Sequence, residues 1–454
     1  MKNPRALIAA AGGAMLLTSL VWAPTPVGAA ALTADSTVPD GDAGSLRDVI
    51  VNQATDPAGD TVTLDAGATY LLDLCTGTLQ HGDTPLVIEG NGATIELPCP
   101  EQWVFRHGTG DLVIRDLTLQ HTAPDPLAGG LRTVGPAELS DVRIEGVFND
   151  GVQASSLTIS DSSIVGAPAD ADGISVDEVT ADGLEVTAFG DALDATTADL
   201  TDTHIHGNDE GGINATEAFI VQSTVEENLY GVNIVSGTII DSTIANNDSS
   251  PAPVIEGVGV QSQRELTIVN STITGNIGGT EGGGIYADGP TNLVHTTITD
   301  NTAPAGANVF IGENGSLESF GSVIAEPDGA DSCNQPFDSS THDVEGDGDS
   351  CGTDEADVTD LGLGALANNG GPTATRLPGT GSPLVDAIPT DSCALSDPPV
   401  LSDQRGTSRP QGSGCDVGAV EIAAVVTPPA QRPAPSTTTA PAARPTRAAP
   451  SFTG

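Results

Sequence analysis

Asp202-Thr203-His204-Ile205-His206-Gly207-Asn208 decides the fold, because its pattern returns along the chain. The order is a polar residue, Ser or Thr, a variable residue, an aliphatic, two variable residues, then Asn. It recurs as Gln222-Ser223-Thr224-Val225 with Asn228, and as Asp241-Ser242-Thr243-Ile244 with Asn247. It recurs again as Asn270-Ser271-Thr272-Ile273 with Asn276, and as His295-Thr296-Thr297-Ile298 with Asn301. Asp161-Ser162-Ser163-Ile164 and Gly321-Ser322-Val323-Ile324 fit without the Asn. Taking Ile164, Val186, Ile205, Val225, Ile244, Ile273, Ile298 and Ile324 as equivalent gives steps of 19 to 29 residues, the period of a solenoid.

A second register lies inside each repeat: Asp150-Gly151-Val152, Asp172-Gly173-Ile174, Asp191-Ala192-Leu193, Gly211-Gly212-Ile213, Tyr230-Gly231-Val232, Glu256-Gly257-Val258, Gly283-Gly284-Ile285 and Gly306-Ala307-Asn308-Val309. Each reads as a turn with a small residue at positive φ, entering an alternating strand such as Val232-Asn233-Ile234. No helical period separates the strands. The expected fold is all-β: a single-stranded, right-handed parallel β-helix. Asn208, Asn228, Asn247, Asn276 and Asn301 then form a ladder of amides spaced about 4.8 Å apart, with Asn supplying the left-handed turn conformation.

The ends of the chain differ from its middle. Lys2 and Arg5 precede an apolar run to Trp22 and the small residues Val27 to Ala31, the layout of a secretory signal over residues 1–30. Residues 31–64 are expected to hold a cap and the first strand, with Leu46, Val49 and Ile50 spaced as a short capping helix. Coils follow over 65–327, then a C-terminal region over 328–422 and a Pro/Ala/Thr-rich tail over 423–454. In an exported chain, six cysteines in three local pairs read as the disulfides Cys75–Cys99, Cys333–Cys351 and Cys393–Cys415.

Against 62 Asp+Glu stand only 14 Lys+Arg, a formal charge of −48. No cationic patch is available to displace counterions from a polyanion, so nucleic acid is excluded as a partner, as is an anionic membrane surface once the signal is removed. From residue 144 to residue 263 there is no Lys or Arg, against 21 Asp+Glu. A polyuronate could meet this stretch only through bridging calcium.

Ser45-Leu46-Arg47-Asp48 and the later Gly59-Asp60-Thr61-Val62 resemble the CSLREA-type segment of secreted bacterial β-helix proteins, with Gly44 in place of the name-giving Cys. Downstream, Leu361 to Thr373, Gly381 to Ala387, Asp403-Gln404-Arg405-Gly406, Arg409-Pro410 and Cys415 to Glu421 resemble the choice-of-anchor Q region of exported β-helix proteins. The resemblance implies the fold, export and a secreted or cell-surface setting. It implies no catalytic residues.

Three groups carry candidate chemistry. Asp150, Asp172 and Asp191 share one register in successive coils. Stacked carboxylates would favour a shared proton or a cation, or would be Asx-turn residues. Asp150 and Asp191, two coils apart, would stand about 9 to 10 Å from each other, near the spacing of an inverting glycosidase pair. This layout faintly resembles polygalacturonase-type glycosidases, but Gly211-Gly212-Ile213 stands where their Gly-His-Gly belongs. His204 and His206 flank inward-pointing Ile205, with Glu185 and Glu226 on adjacent coils, and would suit a transition metal. Asp343, Glu345, Asp347 and Asp349 offer oxygen ligands at alternate positions, suiting calcium. No other cofactor is called for. The function expected is a non-catalytic, monomeric scaffold for an extracellular glycan or protein; the alternative is a polysaccharide-degrading hydrolase or lyase using the turn aspartates.

Overall fold

The computed structural model describes residues 30–422 except 76, 101, 125–126, 168–170, 251–256, 347, 356–357 and 397–398. The expected signal, apart from Ala30, and the expected tail lie outside the described residues, as does Asp347. The chain is a parallel β-helix: among the described residues 28 strands join in one parallel sheet, and a two-stranded antiparallel pair lies near the C-terminus. Among the described residues no helix is long and apolar enough to cross a membrane.

Three columns of buried side chains, one from each strand of a coil, make the core. Ile164, Val186, Ile205, Val225, Ile244, Ile273, Ile298 and Ile324 are consecutive partners in one column. Phe105, Leu131, Val152, Ile174, Leu193, Ile213, Val232, Val260, Ile285 and Val309 make the second. Ile88, Ile114, Leu139, Ile159, Ala181, Leu200, Ile220, Ile239, Ile268 and Leu293 make the third. Parallel pairing puts like beside like, so a strand needs only one or two aliphatics to complete a continuous core. This thin core accounts for the modest hydrophobic fraction of 38%.

Two polar ladders line the corners. Asn208 Nδ2 donates to Asn228 Oδ1 at 2.8 Å, Asn228 to Asn247 at 3.1 Å, Asn247 to Asn276 at 2.8 Å and Asn276 to Asn301 at 2.9 Å. Asn301 passes the chain on to Asn308 at 2.9 Å. Beside it runs a hydroxyl ladder: the amides of Thr203, Ser223 and Ser242 donate to the hydroxyls of Ser223, Ser242 and Ser271.

The backbone corrects two expectations. The left-handed residue of the corner is not the ladder Asn but its predecessor: Gly207, Glu227, Asn246, Gly275 and Asp300 have positive φ. The ladder asparagines are thereby freed to turn their amides inward. Of the register glycines, those at 257 and 306 are left-handed as expected, but those at 151, 173, 212 and 231 are not. They are glycine because of close approach: a Cβ on Gly231 would strike the Gly259 carbonyl and the Asn247 amide.

At the N-terminus the first strand, Ala30–Thr33, opens on the last residue of the expected signal and pairs with Asp60–Thr63. The cap is one helical turn, Leu46–Asp48, running into a π-helical turn, Val49–Gln53. Ser45 accepts from the Asp48 amide, and Leu46, Val49 and Ile50 are buried. The coils run past the expected boundary at 327, since Ser339–Thr341 and Val344–Glu345 still pair in the sheet. Disulfides join Cys75 to Cys99, Cys333 to Cys351 and Cys393 to Cys415. The C-terminal region then folds back on the solenoid. Gln404 bonds to Ser242, Thr243 and Thr272, and Ala419 to Thr297, covering that face from Thr243 onward.

Candidate functional site

Asp150, Asp172 and Asp191 occupy successive coils at one corner. Val152, Ile174 and Leu193 are register partners two residues after each, and the amides of Gly151 and Gly173 donate to the Asp172 and Asp191 carbonyls at 3.0 and 2.8 Å. Burial, then the charges of Asp150 and Asp191, push the Asp172 carboxyl up to about 7. Burial also raises Asp150, which Arg132 on the preceding coil partly offsets. Asp194, on the adjoining strand, is raised by burial and by Asp191. Burial first, and the neighbouring carboxylates second, thus favour the protonated form of Asp172.

Aromatic rings bound the trio on both sides. Tyr230 Oη donates to Asp191 Oδ1 at 2.8 Å, its ring lying across Gly211, where a Cβ would collide with both groups. Gly211, which breaks the glycosidase-like pattern, is thus the residue that lets Tyr230 reach back two coils. On the other side Trp103 lies across Gly129 in the same manner, and the Arg132 guanidinium sits 5.9 Å above its ring. Sequence reasoning missed Arg132, Asp194 and this role of Tyr230. The signal available was a glycine alone at a register position that aspartate fills upstream and an aromatic fills downstream.

The open face beside this corner continues as a column of strand partners: Arg106, Arg132, Gln153, Ser175, Asp194, Asn214, Asn233, Gln261, Tyr286 and Phe310. All are at least partly exposed. Tyr286 and Phe310 stack at 5.5 Å with their planes 4° apart.

Because Asp172 is raised in the folded chain from an ordinary 3.8 to about 7, the folded state binds more protons than the unfolded one across that interval. Its contribution to stability is fullest at the acid end and is lost as pH rises through 7. Asp172→Asn is expected to stabilise the protein by about 1–2 kcal/mol at pH 8, a figure reduced for solvent screening of a partly exposed group, and to change nothing near pH 4. Urea unfolding at the two pH values checks this, and an equal gain at both would exclude charge as the cause.

The other candidate groups separate. His204 and His206 project on either side of buried Ile205. His204 Nε2 lies 3.1 Å from Glu226 Oε1, His206 Nε2 lies 3.2 Å from Glu185 Oε1, and the rings stack at 4.1 Å. In the acidic loop, Asp343 and Glu345 are engaged by donors of the chain itself. Asp343 is fully buried as the last rung of the hydroxyl ladder, accepting from Ser322 N at 2.7 Å, Ser319 Oγ at 2.9 Å, Ser340 Oγ at 2.7 Å and Thr341 N at 3.0 Å. Glu345 follows Ile324 in the aliphatic column, and its carboxylate caps the amides of Ser350 and Cys351. Four and three donors, respectively, occupy these two carboxylates, while Asp349 is exposed. Val344 still bridges in parallel to Glu355 beyond this rung.

No family model and no curated protein matches the chain. Among solved structures it is similar to pectate lyase Pel9A, at 13% identity over 86% of this chain and 96% of that one, with a TM-score of 0.36. It is also similar to the A-module of the Azotobacter vinelandii mannuronan C-5 epimerase AlgE4, at 14% identity over 72% and 93% of the two chains, with a TM-score of 0.35.

Proposed function

We propose that the protein is an exported, non-catalytic β-helix scaffold whose open face binds a neutral extracellular glycan. The observation that carries this reading is the partly exposed column from Gln153 through Asn214, Asn233 and Gln261 to the stacked rings of Tyr286 and Phe310. Amide and hydroxyl groups repeated at the strand spacing match a chain of hydroxyls, and an aromatic pair at one end supplies a surface for a sugar ring. The absence of Lys and Arg from residues 144–263 favours a neutral chain over a polyuronate. Export and a surface setting rest on the signal-like start and on the CSLREA-like and choice-of-anchor Q-like segments; three disulfides agree with an oxidising compartment.

A second reading, glycoside hydrolysis, is favoured by one feature. Burial, then the two flanking carboxylates, push the Asp172 carboxyl up to about 7, the direction a general acid requires.

Affinity electrophoresis through neutral and acidic polysaccharides, paired with a reducing-end assay, separates the two. The scaffold reading expects retardation by a neutral polysaccharide without release of ends, and about tenfold weaker retention when Asn214 and Asn233 are both changed to Ala. Release of ends that Asp172→Asn abolishes would replace it with hydrolysis. Retention by no polysaccharide would overturn the glycan assignment.

A further inference from the structure

We infer that Glu185, His204 and His206 form a binding site for a divalent transition-metal ion of the zinc type. The inference is independent of the glycan reading, because these residues belong to a different strand of the coil. His-Ile-His in a β-strand sends both imidazoles to one face, since side chains alternate and Ile205 is locked in the core column. One ligand atom from each of Glu185, His204 and His206 lies within 4.8 Å of the other two. A tetrahedral ion with bonds of about 2.0–2.2 Å needs its ligand atoms about 3.3–3.5 Å apart. The His206 to Glu185 edge, at 3.2 Å, is already close to that length. Closing the remaining edges takes only rotation of partly exposed side chains, whose relative exposures run from 26% to 47%.

The backbone beneath is fixed. Val186, Ile205 and Val225 are consecutive rungs of the core, and Asn208 Nδ2 donates to the His206 carbonyl at 3.1 Å. Glu226, 3.1 Å from His204, stands on the far side as a hydrogen-bond partner that orients the ring or as a fourth ligand. Two imidazole nitrogens select a transition metal over calcium or magnesium, which take oxygen. The surrounding stretch, free of Lys and Arg, adds a negative field that favours any cation. Selectivity therefore has to come from the histidines.

The test is titration of untagged, chelator-stripped full-length protein with zinc chloride by calorimetry, with cobalt chloride followed by visible absorption. One saturable equivalent of zinc is expected, along with the intense cobalt bands of a four-coordinate site, unaffected by tenfold excess calcium. His206→Gln is expected to weaken zinc binding by about 100-fold, and Glu185→Gln by about 10–100-fold. Glu217→Gln, an acidic change away from the site, should leave affinity unchanged. Circular dichroism confirms that each variant is folded, and Glu185→Gln, at an exposed position, is informative if His206→Gln misfolds. Zinc binding that is non-saturable, displaced by calcium, or indifferent to both His206→Gln and Glu185→Gln would overturn the assignment.

Discussion

Arg409→Met is expected to release the C-terminal region from the solenoid and to cost about 3–5 kcal/mol of stability. Arg409 and Glu421 are both fully buried, with Nη1 and Oε2 3.2 Å apart. Burial acts against both charges, lowering the guanidinium and raising the carboxyl from their ordinary values. The pair is held by further hydrogen bonds, although Arg409 Nε is buried without a partner. Arg409 donates to the carbonyls of Asp416 and Gly418, while Glu421 accepts from the amides of Asp416 and Gln411. Removing one partner of such a pair strands the other, which is why the loss exceeds that of a surface bridge. The segment so held is the one that meets the coils: Gly418 N donates to the Gly321 carbonyl at 2.7 Å and Ala419 N to Thr297 Oγ1 at 2.9 Å. Amide exchange should accelerate at Gly418 and Ala419 while Val232, bonded to the Gly259 carbonyl within the coils, keeps its protection. Adding Glu421→Gln should recover about 1–3 kcal/mol by removing the stranded charge. Loss of protection at Val232 in step with Gly418 would contradict the expectation that the region is released separately.

The parts of the molecule that repeat were legible in its sequence, and those made by long-range contact were not. Aligning Ile205 with Val186 and Val225 is enough to bring His204 and His206 beside Glu185 and Glu226, because parallel coils turn sequence alignment into spatial adjacency. Asp343 and Glu345 show where that reasoning stops. Read locally they are alternate oxygen ligands. Aligned with Ser322 and Ile324 they continue two columns, and their carboxylates take up backbone and hydroxyl donors of the chain. Tyr230 reaching Asp191 depends on a side chain leaning over two coils, which a column-by-column alignment does not represent. Gln404 on Thr272 joins residues 132 positions apart, and no repeat announces it.

The ladder itself yields the other large expected effect, since Asn276→Ala cuts it in the middle. Asn276 Oδ1 accepts from the backbone amide of Asn247 at 3.2 Å and from its side-chain amide at 2.8 Å. Its Nδ2 donates to the Ile244 carbonyl at 3.1 Å as well as to Asn301. All of these groups are buried, but Asn247 Nδ2 keeps the Val225 carbonyl and Asn301 Oδ1 keeps the Asn276 backbone amide, so at about 1–2 kcal/mol each for the Asn247 amide and the Ile244 carbonyl the loss comes to about 2–4 kcal/mol. Asn233→Ala is the contrasting case. Asn233 also bonds to an Asn one coil away, Asn214, at 3.3 Å, but on the open face, where water replaces the lost partner and the cost stays below about 1 kcal/mol. Guanidinium unfolding of the two variants measures the difference, and similar losses would mean that burial does not set the ladder's worth. Solenoid coils couple only to their neighbours, so a cut at Asn276 would ordinarily let the two halves melt apart. Here Gln404 grips Ser242 on one side of the cut and Thr272 at it, while Ala419 grips Thr297 beyond it. The C-terminal region therefore splints the break, and Asn276→Ala combined with Arg409→Met should lose more than the sum of the two and unfold in two calorimetric steps.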